Sequence, residues 1–432
     1  MYRPKSAPSG GVRRRGRVVP CAVVAACAAA ALLIPFSAPV AERLSLEEAV
    51  EVAAERDPQA ARYRARATAA EEAAVAAGAL PDPELTAGLM NLPADDPSLR
   101  DDPMTQLNLG VRQAFPSGRG AAREQELARA SVERAEARDA LRRVRRETRQ
   151  AYLEVYYRTR QVAILEGTRV HFEELIDAAE RAMAAGDADR QEVLQAELEL
   201  ERLEDRTEDA RIELETARSR LARWVGPQWA QRPLQEPLPE LSLPPGDAAA
   251  LEMHPRLGAR AAQLEQGRAQ RRRAEAAYRP DWGVELSYAL RQADRPDGSS
   301  APDLISGMVT VQLPLFPGSR QDRDLAAARH GIDAAREGLR DAELALREEL
   351  RTAEKRRERL AERVERYDAI IVELATDNAE AALSAYGAGT VEFVALHRAR
   401  IDELDARLAR LRLAIQERQS RADIRYLLGE PS

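Results

Sequence analysis

The chain has 432 residues, of which 32% are charged and only 4% aromatic, with alanine, arginine, glutamate and leucine dominant. That mixture belongs to long helices and coiled coils and speaks against a compact enzyme. The net charge of -7, with both signs interspersed, excludes the basic stripe of a nucleic-acid-binding body.

Residues 1–41 read as an export segment. Arg13, Arg14, Arg15 and Arg17 precede an apolar run from Val18 to Phe36, and small residues follow. Two processing routes fit. "VAAC" (Val24 to Cys27) resembles a lipobox that would leave Cys27 lipidated, whereas cleavage near Ala38 to Ala41 would remove the whole apolar run. The only other cysteine is Cys21, so the body has no disulfide, thiolate nucleophile or cysteine metal site. No later apolar run is long enough for a membrane helix.

A first unit is expected over 42–226. Ser45 and Glu48 form a capping-box pattern that opens a helix running to about Gly78, with a break at Pro58. Leu85, Ala87 and Leu89, then Leu107, Leu109 and Val111, alternate with polar or small neighbours. This predicts a β-hairpin at about 83–115, with strands long enough to cross a bilayer when tilted. At the "FPSGR" junction Pro116 ends the strand, Ser117 and Gly118 supply a turn and helix N-cap, and Arg119 falls at the level of lipid headgroups. Phe115 opens this junction. From Arg119 to Gly186 there is no proline, so one helix of roughly 100 Å is expected. Gly186 marks a turn into a returning helix, completing a coiled-coil hairpin over 119–226.

A linker follows at 227–246, read as extended because six prolines exclude a helix. The second unit, 247–432, repeats the first. "AERDPQAARYRARA" parallels "LEMHPRLGARAAQL", "MAAGD" parallels "YGAGT", and "FPSGR" parallels "FPGSR" (Phe316, Pro317, Arg320). Trp282, Val284, Leu286, Tyr288 and Leu290, then Ile305, Val309, Val311, Leu313 and Leu315, predict a hairpin at about 281–316. A coiled-coil hairpin is expected at 319–429. Its seams are Leu360, Val364, Tyr367, Ile371 and Leu374, and Ile401, Leu404, Leu408, Leu411 and Ile415. The fold class is therefore mainly α with a small β part: a duplicated unit of helix, β-hairpin and long helix hairpin. Four strands cannot close in lipid, so two, three or four chains would have to share a barrel.

Over about Leu44 to Gly429 the sequence resembles the TolC-like outer membrane efflux proteins. The resemblance is carried by the duplicated layout, "LSLEEAVEVAAERDP", the two "FP" junctions and "YGAGT". "LPDPELTAGLMNLP…DPMTQLNLGVRQAFPSGR" is most similar to the cation and copper efflux branch. The resemblance implies a homotrimer: a twelve-stranded β-barrel in the bacterial outer membrane above a trimeric α-helical barrel in the periplasm. It implies a periplasmic adaptor and an inner-membrane RND-type pump as partners, and a passive conduit for metal cations such as copper and silver or cobalt, zinc and cadmium. An exit duct for drugs or for type I protein secretion is the alternative, and a periplasmic coiled-coil adaptor a more distant one. No enzyme activity, cofactor or resident metal is expected.

In that family acidic and tyrosine side chains narrow the periplasmic mouth. The turn glycines place Glu192 at the acidic position and Tyr386 at the tyrosine. The family's arginine and two further acidic positions fall on Val391, Ala395 and Arg398, so the same locking links are not expected. Asp187, Asp189 and Glu392 are other carboxylates near the tip, either a cation-selecting ring or ordinary solvated loop charge. The histidines are His171, His254, His330 and His397; His171 in "HFEE" reads as a solvated helix residue, and Met308 lies on the polar face of its strand.

Overall fold

The computed structural model describes residues 43–429 apart from 187, 238–239, 245–247 and 296. The export segment at 1–41, Cys27 and Asp187 lie outside the described residues.

The first helices are α1 (Leu46–Arg56) and α2 (Pro58–Gly78). The Ser45 hydroxyl accepts the Glu48 backbone N–H at 3.1 Å, as the capping-box pattern requires. Asp57 stops α1 and caps α2, accepting from the N–H groups of Gln59 and Ala60, with Pro58 at the first helical position, where it forfeits no bond.

Strands β1 (Glu84–Met90) and β2 (Gln106–Phe115) form the first hairpin, and β3 (Asp281–Leu290) and β4 (Leu304–Gln312) the second. All four make one antiparallel sheet in sequence order, joined where β2 pairs with β3. Two strands are shorter than the sequence suggests. Pro81 and Pro83 precede β1, and Asn91, at a φ of 56°, ends it after seven residues. β4 ends at Gln312, ahead of Pro314, so Pro116 directly follows a strand but Pro317 does not.

Helix α3 (Arg119–Ala185) runs unbroken for 67 residues, about 100 Å. Gly186, at a φ of 84°, supplies the left-handed cap, and α4 (Arg190–Val225) returns. The linker is not extended throughout. Pro227 sits at the first position of a one-turn helix, α5 (Pro227–Ala230), where proline is tolerated. Beyond it Leu44 and Leu234 form a parallel bridge, and Leu241 is fully buried. The linker thus pins the start of the described chain: Leu44 donates to the Pro233 carbonyl and accepts from Gln235 and from the buried Tyr152 hydroxyl.

After α6 (Ala248–Glu252) and α7 (Pro255–Ala276), the counterpart of α3 runs from Gln321 to Gly387. It is not one regular helix. α8 (Gln321–Arg366) passes through a π-turn at Tyr367–Ile371 into α9 (Val372–Gly387). A π-turn inserts one residue, so the seam beyond it moves by one position. Leu374, expected on the seam, is 62% exposed, while Ala375, Ala379, Ala382 and Tyr386 turn inward. α10 (Phe393–Leu428) returns and keeps its expected seam: Leu404, Leu408, Leu411 and Ile415 are buried and Ile401 is half-buried.

α10 packs on α3, α8 and α9, and α3 also carries α2, α4 and α7. Among the described residues three apolar cores lie along this stack. One joins Leu46, Tyr152, Leu221, Val225 and Ile415; a second joins Leu165, Phe172, Val193, Leu203, Tyr386, Phe393 and Leu404 near the helix turns; a third joins Leu251, Leu257, Leu346 and Tyr426.

His254 takes the place in the second half that Asp57 holds in the first, but it is an imidazole sealed from solvent. Its Nδ1 accepts the Arg256 backbone N–H at 3.1 Å, and its Nε2, 3.1 Å from the Tyr426 carbonyl, donates there. These two bonds require the neutral ring. Desolvation lowers the pKa to about 4. The unfolded chain takes up a proton near pH 6.5 that the folded chain refuses. This cap's contribution is therefore complete above about pH 6.5 and is lost as pH falls towards about 4, by about 3 kcal/mol per chain. Thermal unfolding followed by circular dichroism is expected to drop across that window. His254→Asn keeps a capping oxygen and should flatten the profile; equal slopes in the two proteins would sink the assignment.

Candidate functional site

The helix turns bring two of the predicted tip residues together. Asp189 is the N-cap of α4, accepting the N–H groups of Gln191 at 2.8 Å and Glu192 at 3.3 Å. Its charge serves the helix end, which accounts for the residue without a ring. Glu192, in the first turn of α4, projects towards the last turn of α9. There its Oε2 accepts the Tyr386 hydroxyl at 2.8 Å. The tyrosine is buried and meets Phe393 edge-on at 5.9 Å. Burial, reinforced by the bond to Glu192, pushes the phenol pKa well up, so the hydroxyl remains a donor. One hydrogen bond thereby ties the α3–α4 hairpin to the α9–α10 hairpin. Glu392 is not part of this link: it is the exposed N-cap of α10 and makes no side-chain capping bond.

The sequence reading missed what stands behind the link. Phe393 is fully buried, and His397, one turn along α10, stacks on it and faces Glu199 of α4 at 3.5 Å. Phe393 sits four residues beyond the turn glycine Gly389, an aromatic in a chain with few, and that was the available signal. His171 pairs with Glu174 at 3.3 Å on the same helix. Among the described residues no group of three or more His, Cys, Asp or Glu is placed to hold a metal.

At the other end, the sheet is apolar on its open face. The register aligns Leu85, Val111 and Leu286 in one row and Ala87, Leu109, Tyr288 and Ile305 in the next. Leu85 is 71% exposed and Ile305 75%, with Leu109, Val111, Leu286, Val309 and Val311 also exposed. The opposite face aligns Glu84, Arg112, Glu285 and Met308, then Thr86, Gly110, Ser287 and Ser306. A Cβ at Gly110 would come within 2.7 Å of the Thr86 hydroxyl, so any side chain there would have to displace that group.

The two junctions differ. Phe115 stacks on Trp282 at 4.3 Å, and Ser117 does not cap α3: its N–H and hydroxyl both bond Asp281 of β3, at 2.7 and 2.8 Å. Gly118 stands at the N-cap instead. Arg119 donates to the carbonyls of Pro116 and Gly78, tying the start of α3 to the end of α2. In the second junction Pro317–Ser319 form a single 3-10 turn ahead of Arg320, and Phe316 is 85% exposed.

The outer membrane efflux protein family model matches residues 49–227 and again 248–430. The chain belongs to the outer membrane efflux protein family. Solved structures share the fold over most of their length. The outer-membrane channel OprN is 20% identical with a TM-score of 0.76, covering 89% of this chain and 90% of that one. The Campylobacter jejuni CmeC outer membrane channel is 16% identical with a TM-score of 0.75, covering 89% and 85%. CusC is 14% identical with a TM-score of 0.76, covering 89% and 92%. No curated protein matches the chain. This outer membrane efflux protein is thus a mainly helical chain with a small antiparallel sheet, located in the outer membrane. Among its described residues no helix is long and apolar enough to cross a membrane.

Proposed function

We propose that three copies of this efflux protein close a twelve-stranded barrel and form the exit channel of a tripartite assembly with a periplasmic adaptor and an inner-membrane RND-type pump. One observation carries the reading: the four-stranded sheet exposes a continuous apolar face, and its edge strands β1 and β4 have no outer partner among the described residues. In lipid those edge N–H and C=O groups would be unsatisfied, and pairing β4 of one copy with β1 of the next gives both edges a partner. The apolar rows then face lipid and the Glu84–Arg112–Glu285 row faces the lumen. The helical hairpins continue the barrel as a tunnel, and the Glu192–Tyr386 bond is the latch of its closed periplasmic mouth.

Metal cations are the proposed cargo, supported by the likeness of Leu80 to Arg119 to the cation and copper branch. The overall fold is equally close to CusC and to OprN, so the cargo reading rests on that stretch.

The mature protein is expected in the outer-membrane fraction, extractable only with detergent, and as a trimer. A soluble or monomeric product would overturn the channel reading. A deletion strain should lose tolerance to copper, silver, cobalt, zinc or cadmium before it loses tolerance to drugs; the reverse order would exclude metal cargo.

A further inference from the structure

Behind the Glu192–Tyr386 link lies a second tie between the same two hairpins. Glu192 and Glu199 are seven residues apart on α4, two helical turns and about 10 Å, so they share a face. Glu192 holds Tyr386, Tyr386 meets Phe393, and the Phe393 ring stacks on His397 at 6.4 Å with 12° between planes. Phe172 of α3 closes the other side of the imidazole, edge-on at 6.3 Å. The Nε2 of His397 lies 3.5 Å from Oε2 of Glu199, while Nδ1 is buried without a partner. The polar tie of this ring is therefore Glu199 alone, and both side chains are largely withdrawn from water.

The charged neighbours come from every packed element. On α4, the exposed Arg202 bonds Oε1 of Glu199 at 2.6 Å and leaves Oε2 to the imidazole. On α3, Glu174 pairs with His171 and reaches Arg400 at 3.8 Å. On α10, Arg400 is neutralised by Glu403 at 3.1 Å, and α9 contributes Tyr386, engaged with Glu192. The carboxylate facing the ring is thus Glu199, and the nearby guanidinium groups have carboxylates of their own.

We propose that His397 and Glu199 form a pH-sensitive strap that tightens the closed tip as the periplasm acidifies. The neutral ring only approaches Glu199, at 3.5 Å; the protonated ring adds a charge in a poorly solvated seam. The strap holds α10 to α4 two turns behind the latch, so its strength sets how readily the hairpins part. This inference rests on reading the tip as the channel mouth.

The test uses the purified trimer in planar bilayers at about pH 5.5 and about pH 8, one acidic and one alkaline condition. Wild-type open probability is expected to be roughly fivefold lower at the acid value. His397→Gln and Glu199→Gln should each abolish that difference, and His171→Gln should retain it. Hydrogen exchange in the first turns of α10 reads the strap without any current. Protection should rise at acid pH in the wild type and not in His397→Gln or Glu199→Gln. A pH difference that survives both substitutions, or disappears with His171→Gln, overturns the strap. If exchange behaves as expected while Tyr386→Phe leaves the current unchanged, the strap stands and the mouth reading fails instead.

Discussion

Tyr386→Phe is expected to raise the open probability of the channel roughly tenfold. The substitution removes one oxygen and keeps the ring against Phe393, so it tests the bond to Glu192 and not the packing. A hydrogen bond to a charged acceptor contributes about 1.5–3 kcal/mol, and the partial exposure of Glu192 argues for the lower end. About 1.4 kcal/mol is tenfold in an equilibrium. Glu192→Gln should act more weakly, because an amide oxygen still accepts from the phenol. Glu192→Ala should match Tyr386→Phe, and combining the two should add little, since both delete the same bond. Asp189→Asn should leave conductance near wild type, because asparagine caps a helix as well as aspartate. Single-channel recording at fixed pH decides this: currents from Tyr386→Phe that match the wild type would remove the latch.

Much of this fold was legible because its signals are periodic. The period-two runs gave the sheet, and the proline-free stretch from Arg119 gave α3 nearly to the residue. The interruptions were not legible. The π-turn at Tyr367–Ile371 shifts the seam by one residue, and no proline or glycine marks it. The end of β4 was misplaced because the alternation of Leu313 and Leu315 continues past Pro314, which cannot hold a ladder bond. At the tip, matching turn glycines located Glu192 and Tyr386, a pairing between residues 194 positions apart. Nearness to the tip offered Asp189 and Glu392 as further carboxylates, although one is consumed by a helix cap and the other makes no capping bond. Local spacing cannot show which carboxylate meets a distant hydroxyl. Nor could it show that His254, written in the sequence as a parallel to Asp57, is buried and neutral.

Leu286→Arg and Ser287→Arg, adjacent on β3, are expected to have opposite outcomes. Leu286 lies mid-strand on the apolar face, 61% exposed in the single chain, in register with Val111 and Gly307. If that face meets lipid, an arginine there costs about 2–4 kcal/mol near the bilayer midplane, and the trimer bears the cost in each copy. The amount of trimer in the outer-membrane fraction should fall at least about tenfold. Ser287 points to the face shared with Gly110 and Ser306, where a long cation can extend into water. Ser287→Arg should therefore assemble near the wild-type level and change only the charge of the lumen. Because side chains alternate strictly along a strand, general intolerance of arginine in β3 cannot produce this contrast. Equal loss in both variants would mean that the sheet is buried on two faces, as in a soluble domain. Loss confined to Ser287→Arg would put the polar row against a neighbouring surface and the apolar row elsewhere than in lipid. Only the leucine-specific loss fits a barrel whose outer wall is the row Leu85, Val111, Leu286.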